Sequence, residues 1–85
     1  MTGTIVFTCW EKDKPIEIQL EPWAISYKLE PGSEIKFTAT EPTSKFYWAV
    51  RIDYNNKGIQ LFPESSDRFG SIQVFINDEV ADTID

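Results

Sequence analysis

The sequence predicts an all-β fold: a small antiparallel β-sandwich, or a partly open barrel, of about seven short strands. Three observations predict it. Apolar and polar residues alternate over short runs. Ile16, Ile18 and Leu20 alternate with Glu17, Gln19 and Glu21; Ile35, Phe37 and Ala39 alternate with Glu34, Lys36 and Thr38. Successive side chains of a strand point to opposite faces, so this period marks strands with one buried and one wet face. Turn-forming residues separate the runs at near-regular spacing. No run has the period of a helix over a useful length, and no segment is repeated or of low complexity.

The first strand is expected over Thr4 to Trp10. Its run Ile5-Val6-Phe7-Thr8-Cys9-Trp10 is apolar on both faces, as in a covered strand. Glu11-Lys12-Asp13-Lys14-Pro15 reads as an exposed turn, followed by a second strand from Ile16 to Leu20. Pro22 ends that strand because it has no backbone N–H to donate. Ala24 to Leu29 is the third. In Glu30-Pro31-Gly32-Ser33, proline presets φ at the second turn position and glycine accepts positive φ at the third. This turn is expected to join strands three and four (Glu34 to Thr40) as a hairpin. Phe46 to Asp53 is the fifth strand, with Phe46, Trp48, Val50 and Ile52 on one face and Tyr47, Ala49, Arg51 and Asp53 on the other. Tyr54 to Gly58 reads as a second hairpin turn into a sixth strand, Ile59 to Phe62. A polar loop, Pro63 to Gly70, precedes the seventh, Ser71 to Ile76. Phe7, Ile18, Tyr27, Phe37, Trp48, Val50, Leu61 and Val74 are expected to share one core, with Trp23 closing one end.

Eighty-five residues make one domain. A chain this short buries only about 60–65% of its unfolded surface, so its margin of stability is thin. Cys9 is alone, so no disulfide within the chain helps. The core must come from six Phe, three Tyr, three Trp and the branched aliphatics, and a homodimer is a second source of buried area. Net charge is −6, from 14 acidic and 8 basic side chains. Asp78, Glu79, Asp82 and Asp85 supply four of the negative charges, and residues 77–85 read as a mobile acidic tail. A phosphate backbone calls for a basic face, so nucleic acid is not an expected partner. No apolar stretch approaches the ~20 residues of a membrane span. A lone cysteine suits a reducing compartment. With Met1-Thr2-Gly3-Thr4 lacking a basic start and an apolar run, the expectation is a cytoplasmic protein.

The pattern of strands resembles Ig-like and cupredoxin-like sandwiches, in architecture only. A blue-copper site needs two histidines beside its thiolate, and this chain has no histidine. Cys9 alternates with Phe7 and Ile5 and reads as a small buried hydrophobe. Asp53, Asn55, Gly58 and Glu64 fall at positions one, three, six and twelve of a calcium loop. Lys57 occupies position five, where an oxygen is required, and the flanks are strands; a hairpin turn is the better reading. No nucleophile elbow, phosphate loop or dinucleotide fingerprint is present. The chain is therefore expected to be no enzyme and to hold no metal or cofactor.

Trp10, Tyr47, Phe62 and Phe75 are out of phase with the core set, and Arg51 shares the face of Tyr47. Amphipathic rings beside an arginine are the usual anchors of binding surfaces. These five residues are the expected binding site of a non-catalytic interaction or adaptor domain that meets a protein partner or a second copy of itself. The alternative is a carbohydrate- or small-ligand-binding module whose rings stack on the ligand. A small acid–base hydrolase using paired carboxylates ranks third.

Overall fold

In the computed structural model, which describes residues 3–53, 55 and 58–85, the alternating runs form eight strands. They are β1 (Thr4–Thr8), β2 (Ile16–Leu20), β3 (Ile25–Leu29), β4 (Glu34–Ala39), β5 (Tyr47–Asp53), β6 (Gly58–Glu64), β7 (Ile72–Ile76) and β8 (Glu79–Ile84). Two four-stranded sheets result, ordered β1-β4-β7-β8 and β3-β2-β6-β5. Of the two architectures expected, the sandwich is the one formed. All pairings are antiparallel except β2 with β6, which run parallel.

The buried residues come mostly from the central strands. Ile18, Leu20 and Leu61 on β2 and β6 face Ile35, Phe37, Ala39, Ile72 and Val74 on β4 and β7. Phe37 is fully buried and is the hub of an aromatic cluster. Its ring meets Phe7 edge-on at 6.2 Å and Tyr27 edge-on at 5.7 Å, with a tilted contact to Trp48 at 6.3 Å. Such geometry adds about 0.5–1.5 kcal/mol per pair to the burial itself. Among the described residues, a side-chain hydrogen bond bridges each open side of the sandwich. The Trp48 indole N–H on β5 donates to the Gly3 carbonyl beside β1 at 2.9 Å. The Tyr27 hydroxyl on β3 donates to the Asp82 carboxylate on β8 at 2.7 Å.

Four expectations are corrected. Residues 77–85 are not a tail: Glu79–Ile84 pair with β7, and Ile84 packs against the core. The connection is a two-residue turn in which Asn77 and Asp78 both have positive φ, 50° and 68°, as the tightest hairpins require. The acids of β8 disguised it. Second, Pro31-Gly32 does not close a hairpin between adjacent strands, because β3 and β4 lie in opposite sheets. The turn itself forms, with Gly32 at φ 83° and the Ser33 N–H donating to the Glu30 carbonyl at 3.1 Å, and it carries the chain across the sandwich. Third, β1 stops at Thr8, and Trp10 is exposed in the following loop; Trp23, in the turn between β2 and β3, is 36% exposed. Fourth, Val50 is not in the core. Its strand lies at the edge of its sheet, where the opposing sheet does not reach.

Two local features set up the β5–β6 pair. Gly58 sits where β6 meets β2, and a β-carbon there would lie 2.8 Å from the Glu17 carbonyl oxygen. Pro63 is tolerated within β6 because β2 pairs with it only as far as Leu61, beyond which no partner needs its N–H. Of the turn joining the two strands, Tyr54, Asn56 and Lys57 lie outside the described residues, and with Lys57 position five of the calcium-loop pattern.

Candidate functional site

The register of β5 on β6 sorts its side chains onto two faces. Val50 stands opposite Leu61 and Ile52 opposite Ile59, on the face turned toward the other sheet. Tyr47, Ala49, Arg51 and Asp53 occupy the outer face, where Ala49 is opposite Phe62 and Arg51 opposite Gln60. Leu61 is fully buried, yet its neighbour Val50 is 43% exposed and Ile52 is 69% exposed. Inward direction combined with exposure means that β5 overhangs the opposing sheet. Trp48, earlier on the strand, is held down by Phe37, Phe46 and the Gly3 carbonyl. Past Trp48 the inner face of β5 is open to solvent.

The outer face beside this edge is polar and pre-ordered. Arg51 donates to the Gln60 side-chain carbonyl and lies 3.9 Å from the Asp53 carboxylate. The Gln60 and Gln19 amides both donate to Glu21 Oε2, at 2.8 and 2.9 Å. Hydrogen bonds thus link Arg51, Gln60, Glu21 and Gln19 across the outer face, where half-buried Phe62 stands opposite Ala49 and 61% exposed Tyr47 lies beyond it. Glu17, Gln19, Asp53, Gly58, Ile59 and Gln60 line an adjoining depression of about 270 Å³.

Of the five expected site residues, the fold brings Tyr47, Arg51 and Phe62 together on one outer face. It does not bring Trp10 or Phe75 to them. Trp10 lines a separate open groove with Cys9, Lys12 and Gly32. Phe75 lies on the outer face of the other sheet, in register with Lys36, whose ammonium sits 4.7 Å above its ring. The single five-residue patch is therefore corrected to a three-residue one. The reason is that strands one, four and seven share one sheet and strands two, five and six the other, which alternation along the chain does not reveal. Val50 and Ile52 were missed as candidates for a related reason. Their in-phase positions signal core, and only the strand order shows that they lie at an edge.

Among the described residues, two titratable groups depart from their ordinary behaviour. Burial raises the Cys9 thiol, helped by the carboxylates of Asp13 and Glu30, so it stays protonated at neutral pH. Burial raises the Tyr27 phenol too, and the hydrogen bond to Asp82 adds to the shift. Neither is a nucleophile poised for chemistry. Among the described residues no three His, Cys, Asp or Glu side chains cluster as metal ligands would.

These features define the chain as a small all-β sandwich in which the inner side of the β5 edge is apolar and exposed. Compared with known proteins, it matches no family model, no curated protein and no solved structure.

Proposed function

We propose that this protein is a non-catalytic protein-interaction domain whose working surface is the free edge of β5. One observation carries the reading: the seven-residue strand Tyr47–Asp53 ends its sheet with Val50 and Ile52 exposed on its inner side and Tyr47 exposed on its outer side. A strand edge offers an unsatisfied row of N–H and C=O groups, and native proteins ordinarily blunt it. At the far edge of the other sheet, β8 is blunted by a register shift opposite Val74/Phe75, by inward Asp82 and by exposed Glu79. β5 has an apolar inner row instead. An extended segment added there gains main-chain hydrogen bonds and buries its inward side chains on Val50 and Ile52.

The test uses the protein as bait, wild type against Ile52→Lys. The residue is exposed, so the variant is expected to melt within about 0.5 kcal/mol of wild type. A partner retained by wild type and lost by the variant, whose binding slows amide exchange across residues 47–53, supports the reading. A partner whose binding leaves those amides unchanged moves the site elsewhere and overturns it.

A small polar ligand is the second reading, favoured by the depression beside Arg51 with its two amides and two carboxylates. Among the described residues its lining is polar apart from Ile59 and Gly58, which suits hydrogen bonding to a polar ligand. Saccharide-dependent shifts of the Gln19 and Gln60 side-chain amides are the signature that reading requires.

A further inference from the structure

The edge of β5 has a sequence that complements itself. On its inner face stand Trp48, Val50 and Ile52, symmetric about Val50; on its outer face stand Tyr47, Ala49, Arg51 and Asp53. We infer that the partner of this edge is a second copy of the chain, added antiparallel about a two-fold axis through Val50 to make one continuous eight-stranded sheet. The inference rests on the strand-edge reading above and names its occupant.

Charge and length select the register. A two-fold axis perpendicular to the sheet keeps inner residues opposite inner ones and outer opposite outer, so the axis must pass through a residue. Centred on Val50, all seven residues are paired: Val50 with its own copy, Trp48 with Ile52, Ala49 with Arg51 and Tyr47 with Asp53. No like charges face each other, and the most exposed apolar side chain of β5, Ile52, gains the half-buried indole of Trp48 as its neighbour. Shifting the axis one residue toward the C-terminus sets Arg51 against Arg51, a destabilising like-charge pair. Shifting it toward the N-terminus brings the core residue Phe46 into the ladder opposite Ile52. The overhang noted above makes room for the second copy: β1, which ends the other sheet on the same side, does not cover Val50 and Ile52.

The contact is one strand wide, which places it among small interfaces and weak, reversible dimers. Each chain carries net charge −6, so the two copies repel at long range. Salt screens that repulsion while the buried strand pair is less affected, so association strengthens as ionic strength rises.

Sedimentation equilibrium on the purified chain, from about 5 to 500 μM and at low and high salt, reads the equilibrium directly. The expected result is a monomer–dimer equilibrium in the micromolar range, tighter at high salt and weakened at least tenfold by Ile52→Lys. The register is read separately by oxidative cross-linking in a Cys9→Ala background. Val50→Cys, lying on the axis, is expected to cross-link to its own copy much faster than Ile52→Cys. Monomer at every concentration, or faster cross-linking of Ile52→Cys, overturns self-pairing. If wild type stays monomeric and still loses a captured partner on Ile52→Lys with β5 amides protected, the strand-edge function stands and only the identity of its occupant fails.

Discussion

Tyr27 and Asp82 are 55 residues apart in sequence, lie on edge strands of opposite sheets, and are joined by a 2.7 Å hydrogen bond from phenol to carboxylate. This bond clasps the β3–β8 side of the sandwich, as Trp48 and Gly3 clasp the β1–β5 end. Asp82 stands opposite Val74 on exposed β8, and its carboxylate gives the phenol of buried Tyr27 the partner that a buried hydroxyl needs.

The pair predicts a distinct alkaline response. The Tyr27 phenol is raised above its ordinary value of 10.0, so the folded state favours the neutral form. Its contribution is fully present below that value. It is lost as pH rises from there toward the folded value, because the unfolded chain then releases a proton that the folded chain keeps. Tyr27→Phe is expected to cost about 1–2 kcal/mol at pH 7. Above pH 10 the wild-type advantage should shrink by roughly 1 kcal/mol per pH unit. Melting curves for both proteins from pH 7 to about pH 11.5 check this; parallel pH profiles would remove the clasp from the account.

Residues 79–85 are predicted to be needed for stability. Deleting them removes the β7–β8 ladder, Ile84 from the core and the acceptor of Tyr27. A loss of about 3 kcal/mol or more is expected from the buried apolar area and the lost hydrogen bond together. Urea denaturation gives the number, and slow amide exchange at Val80 to Ile84 is the independent sign. A cost below about 1 kcal/mol is the behaviour of a frayed end.

Gly58 is predicted to resist substitution for a backbone reason. A β-carbon would stand 2.8 Å from the Glu17 carbonyl oxygen, which has no rotamer to change. Gly58→Ala must widen the parallel β2–β6 pair and is expected to cost about 1–3 kcal/mol, in the range of overpacked sites. Faster exchange at Ile18 to Leu20 and Ile59 to Leu61 should accompany it. If the strands keep their exchange rates and the melting temperature holds, the close approach is not structural.

The inner residues of the central strands were legible from period alone. Ile18, Leu20, Ile35, Phe37 and Val74 are in phase and buried, because a central strand covered by the opposite sheet has one possible inside. Edge strands break that logic. Val50 and Ile52 share the phase of Trp48 and differ from it only in what lies across the sandwich. β8 was illegible because Asp78, Glu79, Asp82 and Asp85 read as one acidic run, although Asn77 and Asp78 both tolerate the positive φ of a tight turn. The outer-face group of Tyr47, Arg51 and Phe62 was legible because a hairpin's register is local. The separation of Trp10 and Phe75 from it was not, since it depends on which sheet each strand joins.

Cys9 is predicted to be unreactive in the native protein. It is buried, its thiol approaches the Lys14 carbonyl at 3.4 Å, and Asp13 and Glu30 further disfavour the thiolate. A colorimetric disulfide reagent at pH 8 should label the native chain at a rate set by unfolding, and the urea-unfolded chain within seconds. Rapid native labelling would mean that the β1–β2 loop opens without global unfolding.

Trp48 and Val50 test the open edge most directly, because they lie two residues apart on the same face of the same strand. Trp48 packs on Phe37 and Phe46 and donates to Gly3. Trp48→Ala is therefore expected to cost about 3–5 kcal/mol. Trp48→Phe keeps most of the ring packing, loses the indole donor, and is expected to cost about 1 kcal/mol. Val50, at 43% exposure, loses little on truncation. Val50→Ala should cost under about 1 kcal/mol in dilute protein, where the chain is monomeric. At concentrations that favour the dimer the same substitution should cost more, since Val50 is then covered by its own copy. A penalty for Val50→Ala that is large in dilute protein and independent of concentration would mean that β1 covers β5 along its whole length, leaving no edge for a partner to occupy.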